Sequence, residues 1–299
     1  MQNEYKLSII TINYNGLKDT CALLDTIPVR SNIEIIVVDN ASRKDEATLI
    51  ANRYPHVTVV RSHTNLGFAG GNNLGIQASH GDYLFFINND TEFKGEWQAD
   101  QLIARLMSDT HIGIVCPKIR FAWDDCPIQY TGYTPLSRIT MRNHSIGFGE
   151  ADRGQYDTAH PTPYAHGAAM LTTRDAIEKV GIMPECYFLY YEELDWSMMF
   201  TRAGYTIWYD SCCTIYHKES QATGQNSPTR TYYITRNRFL FAQRNLTPAS
   251  RMLTYAYLMC IVLVRDILKD MLLRRGDLIK AALSGVRDFI IGQQGKQLD

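Results

Sequence analysis

The first 121 residues alternate between short apolar segments and helical patterns. The apolar segments, rich in isoleucine and valine, lie at 7–12, 34–38, 57–60, 83–87 and 112–121. Amphipathic patterns with helical spacing lie between them, at 17–26, 46–54, 70–78 and 96–107. Short buried strands that alternate with helices are typical of βαβ units around a sheet. The pattern therefore predicts an α/β fold in which helices flank a central sheet.

The periodic pattern is lost at residues 122–163 and returns beyond them. A long loop without periodicity is usually functional or mobile. The strand-like segments YTIWYD and IYHKES follow later, and beyond residue 227 we predict only helices, at 231–245, 248–274 and 277–291. We expect one α/β domain over residues 1–245, divided near residue 121, and a helical extension over residues 246–299.

Composition narrows the class of protein. The chain has 299 residues, 45% of them hydrophobic and 20% charged, with a net charge of −1. It is too apolar to be disordered, and it lacks the basic excess that would indicate a nucleic-acid partner. Seven cysteines at irregular spacings favour free thiols in a reducing compartment. The N-terminal segment lacks the pattern of a signal peptide, so we expect a cytoplasmic protein.

The C-terminal third combines arginines with apolar side chains. Its longest apolar stretch, residues 252–264, is shorter than the roughly 20 residues of a membrane-spanning helix. Residues 220–265 contain six arginines and no acidic residue. Such helices suit the surface of an anionic membrane, here the inner face of the plasma membrane. They could instead pack on the rest of the chain or form a homodimer, and arginines in 231–245 could meet a diphosphate.

Polar residues follow several predicted strands. Asn13 and Tyr14 follow the first, Asp39 the second, and Asn89 and Asp90 the fourth. Ligands of open α/β sheets bind at these carboxyl ends. A carboxylate at position 90 suits a hard divalent cation beside substrate phosphates, although a simple turn would use the same residue types. Asp39 could bind a ribose or a base, or could cap a helix beginning near residue 42.

A glycine-rich segment, NLGFAGGNN, spans residues 65–73. Its glycines could let a phosphate or ribose approach the start of the following helix, or they could serve tight packing. The segment does not match G-x-G-x-x-G and does not follow the first strand. This argues against a dinucleotide-dependent oxidoreductase.

Carboxylates cluster at the start of a predicted helix, at Glu192, Glu193 and Asp195. The helix dipole favours them there, and the flanking aromatic residues would raise a carboxylate pKa toward that of a useful base. His217 follows a strand-like segment. A lone histidine is usually structural, but with Asp90 it would make a two-ligand metal site completed by phosphate oxygens.

Eight segments in order resemble the inverting family-2 glycosyltransferases, in particular the rhamnosyltransferase-like branch that builds bacterial surface polysaccharides. The segments are SIITINYNG, EIIVVDNAS, NLGFAGGNN, GDYLFFINNDT, HGAAMLTTRDAIEKVG, FLYYEELDWSMMFTRAGY, IYHKES and YYITRNRFLF. The resemblance covers about residues 5–245. It implies a GT-A fold, with a Rossmann-like nucleotide-sugar half in residues 1–121 and an acceptor-binding half in residues 122–245.

The resemblance also implies roles for the residues that bind the donor. The Asn13-Tyr14 pair would lie against the nucleotide base, and Asp39 would hold the base or the ribose. The donor cleft would be lined by residues of the glycine-rich segment and of the fourth strand's end, namely Asn65, Gly67, Phe68 and Asn89.

For catalysis the resemblance implies that Asp90 and His217 bind Mg²⁺ or Mn²⁺ and that Glu193 is the base. Two positions depart from the family pattern. Asn88 replaces the first aspartate of the metal motif, and Glu193 stands where aspartate is frequent. Glu192 and Asp195 therefore stay as alternative bases.

The implied reaction moves a sugar from a nucleotide-diphosphate sugar, dTDP-rhamnose or a UDP-hexose, to a hydroxyl of a lipid-linked or oligosaccharide acceptor. One displacement would invert the anomeric carbon. Two other classes were weighed. A catalytically inactive binding or assembly subunit would not need residues 90, 193 and 217 together. A nucleotidyltransferase would need a basic glycine-rich loop where this chain has the neutral TINYNG.

Overall fold

The computed structural model describes residues 6–219 and 227–297. The strands of this part of the chain are β1 (Leu7–Asn13), β2 (Ile33–Asn40), β3 (Val57–Ser62), β4 (Tyr83–Ile87), β5 (Thr91–Glu92), β6 (Ile112–Phe121), β7 (Ile128–Tyr130), β8 (His160–Pro161), β9 (Ala169–Thr173) and β10 (Thr206–His217). Around them lie the helices α1 (Leu17–Leu24), α2 (Glu46–Arg53), α3 (Gly67–Ala78), α4 (Ala99–Met107), α5 (Arg174–Val180) and α6 (Glu192–Arg202).

All ten strands belong to one mixed sheet, ordered β3-β2-β1-β4-β9-β6-β10-β5, with β7 beside β6 and β8 beside β10. Strands β1 to β4 are parallel, whereas β9 runs antiparallel to both β4 and β6. The short β5 pairs antiparallel with the end of β10, where His217 lies opposite Thr91. This pairing brings the end of β10 to the polar segment that follows β4. The predicted α/β fold is confirmed.

The core explains why the strands are continuously apolar. Ile9, Ile10, Ile36 and Val37 are fully buried because helices cover both faces of the sheet. The polar side chains that end these strands therefore mark the edge of the core, where the chain turns toward solvent.

Strand β10 differs from the sequence prediction, which placed two separate strands at its ends. The structure has a single strand whose register shifts between Asp210 and Thr214, so extra residues form a bulge. The Asp210 carboxylate accepts a hydrogen bond from the Cys212 amide at 3.0 Å within the bulge. A bulge interrupts the alternation of inward and outward side chains, which is why the sequence pattern breaks there.

The C-terminal region is helical, as predicted. It consists of α7 (Pro228–Asn245), α8 (Pro248–Tyr257), a π-helical segment (Leu258–Leu263), α9 (Val264–Leu272) and α10 (Gly276–Ile290). Helix α10 packs closely along α7, and Gly285 permits this approach: a Cβ atom at that position would lie 2.7 Å from the Tyr232 carbonyl oxygen. Leu258 and Val262 pack on Phe239 between these helices. Within the described residues, no helix is long and apolar enough to cross a membrane.

The outer face of α8, the π-helical segment and α9 is exposed and apolar. We call this surface the outer helix face. Its large exposed apolar residues are Met252, Leu253, Met259, Ile261, Val264, Leu268, Met271 and Leu272. Helix α9 has no buried residue at all. Part of the C-terminal region thus packs on α7, as one sequence alternative expected, while its outer side meets solvent.

Candidate active site

A cleft of about 990 Å³ lies at the carboxyl ends of β1, β2 and β4. Its walls are completed by the loops before α3 and α6, by the start of α7, and by the C-terminal segment around Lys296 and Gln297. Of the residues predicted from the sequence, the cleft is lined by Tyr14, Asn65, Gly67, Phe68, Asn89, Asp90 and His217. Sites at strand ends are typical of open α/β sheets. The structure therefore brings most of the predicted site residues to one place.

Asp90 and His217 form a close pair on the cleft wall. The Oδ1 atom of Asp90 lies 3.1 Å from Nε2 of His217, and both side chains are nearly buried. Asp90 is thus less exposed than its position at a strand end suggested, because β10 packs beside it. In residues 6–219 and 227–297, no cluster of three or more His, Cys, Asp or Glu side chains could hold a metal ion.

Gln129 on β7 fixes the orientation of the His217 ring. Its Oε1 atom lies 2.8 Å from Nδ1 of His217. Because an amide oxygen only accepts hydrogen bonds, Nδ1 carries the proton and Nε2 faces Asp90. Metal-binding histidines usually donate their second ring N–H in this way. The donor set therefore fits a divalent cation that takes its remaining ligands from phosphate oxygens and water.

The asparagines before Asp90 connect the cleft to neighbouring elements. The backbone N–H of Asn88 donates to the Ala168 carbonyl at 2.9 Å, which ties the segment that carries Asp90 to the residue just before β9. Asn89 donates through Nδ2 to Oγ1 of Thr20 on α1, at 3.0 Å. The two amides thus hold the chain that carries Asp90 against elements on both sides.

The glycine-rich segment is held by Asn40 and by the loop before α6. Asn40 accepts from the Leu66 amide at 2.8 Å and donates to the Gly67 carbonyl at 3.0 Å. Gly67 has φ +73°, and a Cβ atom there would lie 2.2 Å from the Phe188 carbonyl oxygen. The Phe68 amide donates to that same oxygen at 2.9 Å. Only glycine fits at position 67.

Asn13 and Asp39 are fully buried and do not line the cleft. Asn13 donates to Asp39 Oδ1 at 3.0 Å and to Glu46 Oε2 at 2.9 Å. Asp39 does not cap α2, since that helix begins later, at Glu46. Its Oδ2 atom is buried and has no hydrogen-bond partner among the described residues. Such an atom is costly unless a ligand or water satisfies it.

Glu193 lies at the start of α6 and does not itself line the cleft. It is close to the cleft-lining Phe68, since a Cβ atom added to Gly167 would contact the side chains of both Glu193 and Phe68 at 3.7 Å. Burial raises the pKa of the half-buried Glu193. The neighbouring Glu192 is almost fully buried, and burial together with the charge of Glu193 raises its pKa well above the usual value.

Asp195, the third acidic residue of this helix, is engaged elsewhere. Its side chain is fully buried and pairs with Arg244 at 2.5 Å, while Asn245 donates to it at 2.8 Å. Tyr187 also donates to it at 3.1 Å. These contacts join α6 to α7. Of the three acidic residues, Glu193 is the half-buried one, whereas Glu192 and Asp195 are buried.

Sequence reasoning missed several residues that shape the site. The cleft is also lined by Asn40, Arg43, Phe188, Tyr233, Lys296 and Gln297. The C-terminal segment reaches the cleft because the Gln297 amide donates to the Tyr233 hydroxyl at 2.9 Å and Arg236 donates to the Gly295 carbonyl at 2.7 Å. Strand alternation could have indicated Asn40, since it points opposite to Asp39. No sequence signal pointed to Lys296 or Gln297.

Comparison with known proteins identifies the family. The model for "Glycosyl transferase family 2" matches residues 8–181. This is more than half of the chain, and the protein belongs to that family. Among curated relatives, the low-salt glycan biosynthesis hexosyltransferase Agl10 of Haloferax volcanii is 25% identical over 97% of this chain and 92% of its own length. An N-acetylglucosaminyl-diphospho-decaprenol L-rhamnosyltransferase of Mycobacterium tuberculosis is 23% identical over 65% and 69%.

Solved structures confirm the GT-A fold. The structure of GalNAc-T7 with UDP, GalNAc and Mn²⁺ superposes with a TM-score of 0.62 at 17% identity, over 80% of this chain and 51% of that one. The mannosyltransferase PcManGT of Pyrobaculum calidifontis, in complex with GDP-Man and Mn²⁺, superposes with a TM-score of 0.57 at 14% identity, over 99% and 77%. The chain is a glycosyltransferase with a C-terminal helical region.

Proposed function

We propose that this glycosyltransferase moves a sugar from a nucleotide-diphosphate sugar to a hydroxyl of a glycan acceptor, with inversion and with Glu193 as the base. The observation that carries the proposal is the proximity of Glu193 to Phe68, a residue that lines the cleft: a Cβ atom added to Gly167 would lie 3.7 Å from both side chains. A partly desolvated carboxylate with a raised pKa is suited to accept a proton near neutral pH.

In this mechanism Glu193 removes the proton of the acceptor hydroxyl as its oxygen bonds to the anomeric carbon. The bond from that carbon to the diphosphate oxygen breaks, and the nucleoside diphosphate leaves. Attack opposite to the leaving group inverts the carbon in one step, as in inverting glycosidases. Holding donor and acceptor together in the cleft supplies a large part of the rate. Glu192 is less accessible to an acceptor hydroxyl, because its side chain is almost fully buried.

Asp90 and His217 would hold Mg²⁺ or Mn²⁺, with the ring of His217 oriented by Gln129. When bound, the ion would neutralise charge on the departing diphosphate. The presence of Mn²⁺ in the structures of GalNAc-T7 and PcManGT supports this assignment.

The donor would lie along the strand ends. Tyr14 is 43% exposed on the cleft wall and offers a ring to the nucleotide base. Asp39 would hold the base or the ribose, as the resemblance implies; because it is fully buried and does not line the cleft, its Oδ2 atom, which has no partner among the described residues, would reach the donor only after the side chains that cover it move. The remaining contacts would come from Asn65, Gly67, Phe68 and Asn89. The relatives support dTDP-rhamnose or a UDP-hexose as donor, since one is a hexosyltransferase and another a rhamnosyltransferase.

The acceptor in this proposal is lipid-linked, in the synthesis of a cell-surface polysaccharide, and the enzyme visits the membrane surface. Two relatives support it: the Mycobacterium N-acetylglucosaminyl-diphospho-decaprenol L-rhamnosyltransferase and the amylovoran biosynthesis glycosyltransferase AmsB of Erwinia amylovora. In this proposal, residues 246–299 form a membrane-associating extension of a catalytic domain over residues 1–245, although Lys296 and Gln297 of this extension also line the cleft. The outer helix face is apolar and has Arg265 and Lys269 among its apolar positions, with Arg274 just beyond α9. It also carries Asp266 and Asp270, and Arg265 pairs with Asp266 at 2.6 Å, so its apolar side chains are the main support for surface binding.

The substitution Glu193→Gln tests the base. With a donor selected by thermal-shift screening of nucleotide-diphosphate sugars and Mn²⁺, we expect kcat to fall by about 10²–10⁴-fold while donor affinity stays nearly unchanged. Glu178→Gln is a matched control, because Glu178 lies on the surface of α5. Near-normal turnover of Glu193→Gln would refute the assignment.

Flotation with vesicles tests the membrane proposal. We expect the protein to float with vesicles that contain anionic lipid, and we expect Leu268→Glu combined with Leu272→Glu to abolish flotation without lowering Tm, because both side chains are exposed. Absence of flotation would contradict the membrane proposal. A concentration-dependent dimer that the same substitutions abolish would favour a homodimer through the outer helix face instead.

A further inference from the structure

The loop before α6 has an unusual backbone. Phe188, Tyr190 and Tyr191 all have positive φ angles, of +69°, +67° and +81°. Residues other than glycine rarely adopt positive φ angles, because their Cβ atom comes too close to the backbone. Bulky residues adopt these angles least readily. Such conformations persist only where surrounding contacts impose them, and they cluster at functional sites.

The side chain of Asn237 on α7 supplies these contacts. Its Nδ2 group lies within hydrogen-bond distance of three carbonyl oxygens of the loop: Leu189 at 2.7 Å, Tyr190 at 2.9 Å and Tyr187 at 3.1 Å. Asn237 is fully buried. The adjacent Arg236 is also fully buried, donates to the Tyr187 carbonyl at 2.7 Å, and donates through Nε to Asn237 Oδ1 at 3.0 Å. The Asn237 amide is thereby oriented with its N–H groups toward the loop.

The clamped loop connects both parts of the site. Phe188 and Leu189 line the cleft, and the Phe188 carbonyl accepts from the Phe68 amide. Tyr191 directly precedes α6 and Glu193 lies in the first turn of that helix, so the path of the loop sets where the helix begins. A shift of this loop would therefore move the carboxylate of Glu193 relative to the donor.

We propose that Asn237 is a positioning residue: it holds the loop 187–191 in its unfavourable conformation and thereby places Glu193 for proton removal. The inference rests on the proposed function of Glu193 as the base. Asn237 does not line the cleft, its Nδ2 group bonds to carbonyls of the loop, and it acts on Glu193 through the loop. This assigns a role to Asn237, and it gives Arg236, which is fully buried against the loop, a structural role in place of the diphosphate contact that the sequence allowed for the arginines of 231–245.

The experiment compares Asn237→Ala with Glu193→Gln and with the double variant, in the full chain. Assays use the donor found by screening and measure release of nucleoside diphosphate, and binding of the matching nucleoside diphosphate with Mn²⁺ is measured by calorimetry. For Asn237→Ala we expect kcat to fall by about 10–100-fold, the range that small misplacements of catalytic groups produce. The stoichiometry of nucleotide binding stays at that of the wild type, and KM for the donor changes by less than about threefold. Gln243→Ala, an exposed position on the same helix, is the matched control.

The double variant separates positioning from other effects. If Asn237 acts through Glu193, adding Asn237→Ala to Glu193→Gln lowers kcat little further, whereas independent effects multiply. Three results would overturn the proposal. Asn237→Ala could keep the wild-type kcat, its kcat could fall only in proportion to the stoichiometry of nucleotide binding, or the losses of the two single variants could multiply fully in the double variant. Normal turnover of Glu193→Gln would instead overturn the base assignment itself.

Should Asn237→Ala fail to fold, Asn237→Ser takes its place. Serine at position 237 still offers one hydrogen-bond donor, a hydroxyl on a shorter side chain, and we expect a smaller loss of kcat with unchanged nucleotide binding. Unchanged kcat in a folded Asn237→Ser variant, despite the loss of two of the three carbonyl contacts, would also count against the proposal.

Discussion

Oδ1 of Asp90 and Nε2 of His217 lie 3.1 Å apart on the wall of the cleft, brought together by the pairing of β5 with β10. Since the Nδ1 proton of His217 is directed to Gln129, the two facing atoms both carry lone pairs unless a proton or a cation lies between them. Nearly buried lone pairs repel strongly when nothing separates them. The pair is therefore a place where a divalent ion can replace a proton.

The contact between Gln129 and His217 predicts a measurable effect on metal binding. Gln129→Met keeps the length of the side chain but removes the acceptor for Nδ1. We expect affinity for Mn²⁺ in the presence of nucleoside diphosphate to fall by about 10–100-fold, as for other residues that orient metal ligands. Isothermal calorimetry measures this. Gln101→Met on the exposed side of α4 serves as control, and equal affinities of the two variants would contradict a role for Gln129.

The raised pKa of Glu193 predicts the pH dependence of the reaction. A base acts only when ionised, and burial raises the pKa of this carboxyl above 4.5. At saturating Mn²⁺, kcat/KM should therefore fall as pH decreases, with a midpoint above 4.5. Glu193→Gln should lose this acidic limb as well as most of its activity. A midpoint at or below 4.5 in the wild type, measured where the protein is still folded, would contradict the assignment.

Glu192 predicts an effect on stability rather than on catalysis. Its pKa in the folded state is raised well above 4.5 by burial and by the charge of Glu193, and its buried Oε2 atom has no hydrogen-bond partner within residues 6–219 and 227–297. As pH rises above 4.5 the unfolded chain ionises first, so the wild type loses stability until pH passes the folded-state pKa. Glu192→Gln cannot ionise and escapes this loss.

We therefore expect Glu192→Gln to raise Tm at pH 8 by about 2–4 °C, the shift given by roughly 1 kcal/mol in a protein of this size. The difference should shrink toward pH 5. Thermal unfolding followed by circular dichroism over this range provides the measurement. A Tm difference that grows as pH decreases would contradict the argument, and a large loss of kcat in this variant would favour Glu192 as the base.

The sequence predicted the fold and the place of the site, because both depend on local pattern. Apolar strands with polar residues at their ends, such as β1 and β4, can each be recognised from their own residues without knowledge of the rest of the chain. The match to eight ordered segments then assigned the family. Asp90 and His217 could be proposed as a pair from the sequence, since Asp90 follows the apolar strand β4, His217 ends the strand-like segment that became part of β10, and the family resemblance implied a metal role for both.

Contacts between distant segments were beyond local pattern. The bond between Gln129 and His217 depends on β7 lying beside β6, and nothing in the irregular stretch 122–163 indicated that pairing. Likewise, Lys296 reaches the cleft because Arg236 and Tyr233 hold the C-terminal segment. The burial of Asp39 beside the cleft depends on how Asn13 packs, which is set by tertiary structure.

Gly67 offers a test of the wall between the glycine-rich segment and the loop before α6. Gly67→Ala should disturb this wall for two reasons: φ is +73°, and the new Cβ atom would lie 2.2 Å from the Phe188 carbonyl oxygen. Gly95 has a similar φ of +83° but nothing within 4 Å, so Gly95→Ala measures the backbone term alone. We expect Gly95→Ala to cost about 1–2 kcal/mol of stability. Gly67→Ala should cost more and also weaken nucleoside diphosphate binding at least about tenfold, because the displaced loop lines the cleft. Chemical denaturation and calorimetry on both variants measure the two quantities. Equal stabilities together with wild-type nucleotide affinity for Gly67→Ala would show that the contact between position 67 and Phe188 does not shape the donor cleft.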